Sequence, residues 1–114
     1  MTRGKVVLVP FPFDDLSTAK VRPAVCLTDP IGPHRHVILA FISSRILTDS
    51  LETDLVLDSR QPEFATTGLR RSSTLRLHRL MTVTTALVRR ELGELPLPIK
   101  DRVVDKLRKL FGLT

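Results

Sequence analysis

Tryptophan and tyrosine are absent from this chain, and cysteine occurs once in its 114 residues. The lone thiol, Cys26, makes neither an internal disulfide nor a cysteine-based metal site; its place in the apolar run AVCLT marks it as a small packing residue. No apolar run reaches the ~20 residues that cross a bilayer. The opening MTRGKVVLVPFPF has neither a long apolar core nor a small-residue cleavage site, so a cytoplasmic protein without membrane contact is expected. Also missing are GxxxxGK[ST], GxGxxG, HExxH and CxxC, which removes the usual support for nucleoside-triphosphate, dinucleotide and zinc-hydrolase chemistry. His34, His36 and His78 have no carboxylate cluster beside them and make a poor ligand set, so no metal or cofactor is expected.

What is present is a chain that is 42% hydrophobic and 26% charged, a balance that folds rather than stays disordered. Its length fits one domain spanning 1–114. The net charge of +6 is unevenly spread: residues 1–69 hold seven basic and eight acidic groups, residues 70–114 eleven and four. A positive half of this kind favours a polyanionic partner, either nucleic acid or an acidic protein segment, although a solubilising surface has the same composition.

Five runs rich in β-branched residues lie between turn signals: residues 4–11, 21–28, 36–44, 53–58 and 73–83. The connections are dense in Asp, Ser, Pro and Gly, which predicts antiparallel neighbours rather than helical crossovers. A helical turn is predicted at 84–87 and a short strand near 88–93. In IKDRVVDKLRKLF the residues Ile99, Val103, Leu107, Leu110 and Phe111 form one apolar stripe, with Pro98 suited to the first turn and Gly112 to the stop. The pattern predicts a mainly β fold, a small bent antiparallel barrel with a C-terminal α-helix over one end.

Arginines, hydroxyls and carboxylates remain for chemistry. Single-stranded RNA carries its own nucleophile, the 2′-hydroxyl, so a protein need only align it with the phosphorus, neutralise growing charge and manage two protons. A guanidinium offers paired donors to phosphate oxygens and stays charged at cellular pH. KVRPA, residues 20–24, sets Arg22 at the mouth of an apolar strand, where it either serves such a site or merely pairs with Asp14 or Asp15.

GKVVLVPFPFDDLSTAKVRPAVCLT closely resembles the N-terminal half of the MazF/PemK (Kid) toxins of type II toxin–antitoxin systems, with a PFPF-like strand end, a D-L-S loop and a following R-P. ILAFISS resembles their third strand and SSTLRLHRLMTV their later S-x-[IV]-[RL]-L-x-x-[LI]-x-T strand. The resemblance implies an SH3-like barrel of the CcdB/Kid/MazF kind that forms homodimers. It also implies a sequence-specific, metal-independent endoribonuclease that cuts single-stranded mRNA and leaves a 2′,3′-cyclic phosphate and a 5′-hydroxyl. A cognate antitoxin with an acidic C-terminal segment would hold it inactive. The family's catalytic Arg falls on Arg22 and its catalytic Thr on Ser43, where serine keeps the hydroxyl and loses a methyl. The family's G-D opening reads Gly4-Lys5 here, and no role carries over to it. Asp15 matches the D of D-L-S, and Asp15, Ser17, Lys20, Ser44, Arg76 and His78 are the expected RNA contacts.

Two other classes stay open: a toxin of the same fold that binds and inhibits DNA gyrase, and an inactive relative that only binds an antitoxin. Ser43 and Ser44 also suit plain strand-end capping. Arg76 and His78 alternate with Leu75 and Leu77, so the polar pair faces out, toward RNA or water. Arg70, Arg71 and Arg79 are further candidate groove or partner charges. Phe11 and Phe13 are assigned to core or dimer packing ahead of base stacking.

Overall fold

The β-branched runs become strands wherever alternating side chains let a pleated backbone bury one face or both. The computed structural model describes residues 1–11 and 20–113. It contains β1 (Lys5–Phe11), β2 (Lys20–Cys26), β3 (His36–Ser43), β4 (Asp54–Leu57), β5 (Ser73–Thr84) and β6 (Arg90–Glu94), then the helix α1 (Leu97–Leu110). Every pairing is antiparallel, in the order β4-β5-β3-β2-β1-β6. The mainly β expectation therefore holds as a curled half-barrel with a terminal helix.

Alternation sorts the core into two clusters on opposite faces of the sheet. Val6, Val25, Ile42, Leu55, Leu75 and Leu77 face α1 and pack with its buried Val103. Val7, Val9, Phe11, Ala24, Cys26 and Phe41 occupy the other face. Full burial of a leucine or isoleucine such as Leu75 or Ile42 contributes about 2 kcal/mol. Of the expected helix stripe, Ile99 and Leu107 pack against the first cluster, whereas Phe111 lies past the helix end and is exposed. Pro98 sits in the first turn, and Gly112 follows the helix with φ +68°, a left-handed stop.

Two features depart from the sequence pattern. The residues PEFATT form a 3-10 helix, Pro62–Thr67, within a stretch expected to be irregular. In β5 the register against β3 jumps: Ala40 pairs with Leu80 but Phe41 with Arg76, one step on β3 against four on β5. Leu77, His78 and Arg79 occupy this bulge and bend β5 around the barrel. The expected turn after β5 is a 3-10 helix at Thr85–Leu87, and the last strand begins at Arg90 rather than Val88. No helix among the described residues is long and apolar enough to cross a membrane.

Candidate functional site

Strand register places the candidate residues on one face. Val9 pairs with Arg22 across β1 and β2, and Ser43 pairs with Thr74 across β3 and β5. The β2–β3 ladder runs from Cys26–Leu39 to Ala24–Phe41. The same offset, carried two residues further toward the rim, matches Arg22 with Ser43. Arg22 alternates with Ala24 and Ser43 with Phe41, so both fall on the face of the second cluster. Each is half-buried: the strand ends lie where the core gives way to solvent. Thr74, fully buried beside Ser43, donates its hydroxyl to the carbonyl of Arg45 at 2.9 Å and so ties down the chain that leaves β3.

One row inward, Ala24, Phe41, Arg76 and Asp54 line up across β2, β3, β5 and β4. Arg76 donates Nε–H to Asp54 Oδ1 at 3.2 Å, and the Asp54 side chain is 2% exposed. Asp54 Oδ2 also accepts the Leu51 N–H at 2.8 Å, so the carboxylate is fixed from two directions and in turn fixes the guanidinium. Arg79 lies over the Phe41 ring, 5.1 Å from its centroid, and Phe41 packs tilted on Phe11 at 5.5 Å. Both phenylalanines are therefore core residues, as packing rather than base stacking required of Phe11, and Phe41 also carries a cation. Burial pushes the Cys26 thiol on this face up to about 11, which keeps it protonated and unreactive at neutral pH.

Among the sequence candidates, Arg22, Ser43 and Arg76 share this face. Lys20 is exposed and pairs with Phe11 one row outward. His78 is exposed in the β5 bulge, and Ser44 turns to the opposite face, where it meets Arg70 and Arg71. Asp15 and Ser17, like Phe13, lie outside the described residues. Sequence reasoning missed Asp54, whose signal was a lone acid heading the apolar strand TDLVLD.

A row of hydroxyls and oriented guanidiniums on a curled antiparallel sheet agrees with the sequence-wide comparison. The profile of the PemK-like, MazF-like toxin of type II toxin-antitoxin systems matches residues 2–111. The chain belongs to this family. Three solved structures share the fold of this MazF-like chain. A Mycobacterium tuberculosis toxin, MazF-mt6, is 19% identical with a TM-score of 0.73, covering 96% of this chain and 98% of its own. An endoribonuclease in complex with its cognate antitoxin, from a mycobacterial species, is 13% identical with a TM-score of 0.71, covering 100% and 97%. A MazE-MazF complex from Deinococcus radiodurans is 18% identical with a TM-score of 0.69, again covering 100% and 97%. None of the curated proteins matches the MazF-like chain.

Proposed function

We propose that this chain is a metal-independent endoribonuclease toxin that cuts single-stranded mRNA, with Arg22 and Ser43 as its catalytic residues. The observation that carries the reading is the shared rim position of these two side chains, beside the Asp54-held Arg76. The 2′-oxygen attacks the adjacent phosphorus as it gives up its proton, and the phosphorus–O5′ bond breaks as the 5′-oxygen takes one. The products are a 2′,3′-cyclic phosphate and a 5′-hydroxyl, and the substrate supplies its own nucleophile. Arg22 pairs with the non-bridging oxygens and stabilises the charge that builds on them, while Ser43 orients the 2′-hydroxyl. Arg76 and Arg79 arrive already oriented, so little reorganisation is needed as that charge develops. Lys20, Ser44 and His78, with Asp15 and Ser17, contact flanking nucleotides.

The same reading makes the protein a cytoplasmic homodimer held inactive by an antitoxin with an acidic C-terminal segment; the two neighbours solved with antitoxins support the antitoxin partner. The exposed Phe111 and Leu113 beyond α1 are the feature that favours a second reading, a toxin that binds a protein such as gyrase. Purified protein incubated with long single-stranded RNA and EDTA separates them. Cutting by wild type that is lost in Arg22→Ala supports the nuclease. Equal cutting by both removes Arg22 from the mechanism, and toxicity that depends on residues 111–113 while RNA stays intact favours protein binding.

A further inference from the structure

On the face opposite Arg22, a second row crosses the same rim: Pro23 pairs with Leu8, and Leu8 with Arg90. This row floors an open pocket of about 300 Å³ that also takes in Ser44, Arg70 and Arg71, with Leu92 beside them. None of the described residues lining it is acidic. Among the described residues, the side chains of Arg70, Arg71 and Arg90 make no ion pair and no hydrogen bond, and all three are exposed. Three guanidiniums line one apolar-floored cavity that holds no counter-charge among the described residues, an arrangement that favours an anion there.

The loop bearing two of them is held in place by two glycines. Gly68 has φ +74°, and a Cβ there would stand 2.0 Å from the Leu92 carbonyl oxygen; a Cβ on Gly93 would stand 2.2 Å from that of Thr66. Such close approach of two backbones clamps the segment leading to Arg70 and Arg71 onto β6, while the buried Thr67 hydroxyl accepts the Leu69 N–H at 3.1 Å.

Pro23 follows Arg22 and Ser44 follows Ser43, so the pocket begins one residue from the proposed reacting centre, around the edge of the same strand ends. We infer that it binds one nucleotide of the RNA flanking the cut, the phosphate on Arg70, Arg71 and Arg90 and the base on Leu8, Pro23 and Leu92. The inference rests on the nuclease reading above and adds a subsite on the far side of the rim. An acidic peptide offers carboxylates to the same guanidiniums, but the apolar floor and the direct continuity with Arg22 and Ser43 favour a strand of RNA that bends over the edge.

The test uses the full chain, non-cleavable 2′-O-methyl RNAs of about nine and about three nucleotides, and anisotropy titrations from ~0.05 to ~0.2 M salt. For the triple variant Arg70→Gln, Arg71→Gln and Arg90→Gln, affinity for the longer RNA is expected to fall about tenfold and its log–log salt slope to shrink by about 2 to 3. The wild-type gap between the two lengths should close. The single reversal Arg70→Glu, on an exposed side chain, repeats the measurement without disturbing the paired row. Unchanged affinity and slope in both variants, while wild type still cuts RNA, overturn this subsite alone. A variant that loses an acidic peptide but keeps the RNA assigns the pocket to a protein partner and also overturns it. A wild-type chain that neither binds nor cuts RNA overturns the nuclease reading together with the subsite.

Discussion

The two faces of the rim hold their arginines in opposite ways. On the side of Arg22, Arg76 is gripped by a buried carboxylate and Arg79 is laid over Phe41. On the far side, Arg70, Arg71 and Arg90 stand exposed around an open pocket, with no ion pair among the described residues. A held guanidinium has spent its rotamer freedom during folding and suits charge that appears for an instant, as in a phosphorane. Loose guanidiniums keep that freedom until a ligand arrives; they suit affinity, which varies with salt. Under the proposed nuclease reading one face serves rate and the other grip, and each expectation below tests that division.

The largest effect should come from Arg22→Ala, which is expected to slow RNA cleavage about 10³-fold, roughly 4 kcal/mol of barrier. Single-turnover rates at saturating protein report it, and Ser43→Thr, which restores the family's residue, should retain activity where Ser43→Ala loses it. A loss confined to binding, with the saturated rate intact, would move Arg22 to the gripping side of the comparison.

The next largest effects are on stability. Arg76→Ala leaves the buried Asp54 without its cation and should destabilise the fold by about 3 kcal/mol, whereas Arg70→Ala on the loose face should lie within about 0.5 kcal/mol of wild type. Urea denaturation of the two variants measures the contrast directly. Equal midpoints would mean that the Arg76–Asp54 pair does not hold its strands together. Gly68→Ala should also be strongly destabilising, by about 3 kcal/mol, because it places a side chain at positive φ and drives Cβ into the β6 backbone. A mild effect there would show that the loop carrying Arg70 and Arg71 is less tightly clamped than its geometry indicates.

The sequence carried the strands because Val and Ile runs alternate visibly between polar turns, and it carried the helix because Ile99, Val103 and Leu107 recur at helical spacing. Arg22 and Ser43 stand out through the family resemblance, and their common face becomes visible only from the β2–β3 register. The bulge at Leu77–Arg79 left no trace, since Leu75 and Leu77 keep a period of two while their hydrogen-bond partners slip. PEFATT has too few apolar residues to show a helical period. The grip of Asp54 on Arg76 depends on β4 pairing with β5, a long-range contact, and the convergence of Arg90 with Arg70 and Arg71 depends on the packing of Gly68 on Leu92 and of Gly93 on Thr66, contacts between segments distant in sequence. Local pattern reports faces; it does not report which faces meet.

The smallest effect lies away from the rim, at the joint of β1, β6 and α1, and it shows how weak an exposed held charge is. Glu94 bonds Lys100 and pairs with Lys5 at 3.2 Å, and these two ammonium groups, Lys100 first, hold its carboxyl below the ordinary 4.5. A depressed carboxylate pKa means that the folded chain binds fewer protons than the unfolded one, so its contribution is present above pH ~4.5 and is lost as pH falls through the folded value. Glu94→Gln should flatten that acid limb of the stability curve slightly while leaving stability near neutrality almost unchanged, and added salt should shrink the difference, because water and counterions screen exposed pairs. Thermal melts from about pH 3 to neutrality, at low and high salt, resolve the shift. A Glu94→Gln effect as large as that of Arg76→Ala would mean that exposure does not separate weakly held charges from strongly held ones in this fold, and the contrast between the two faces of the rim would lose its physical basis.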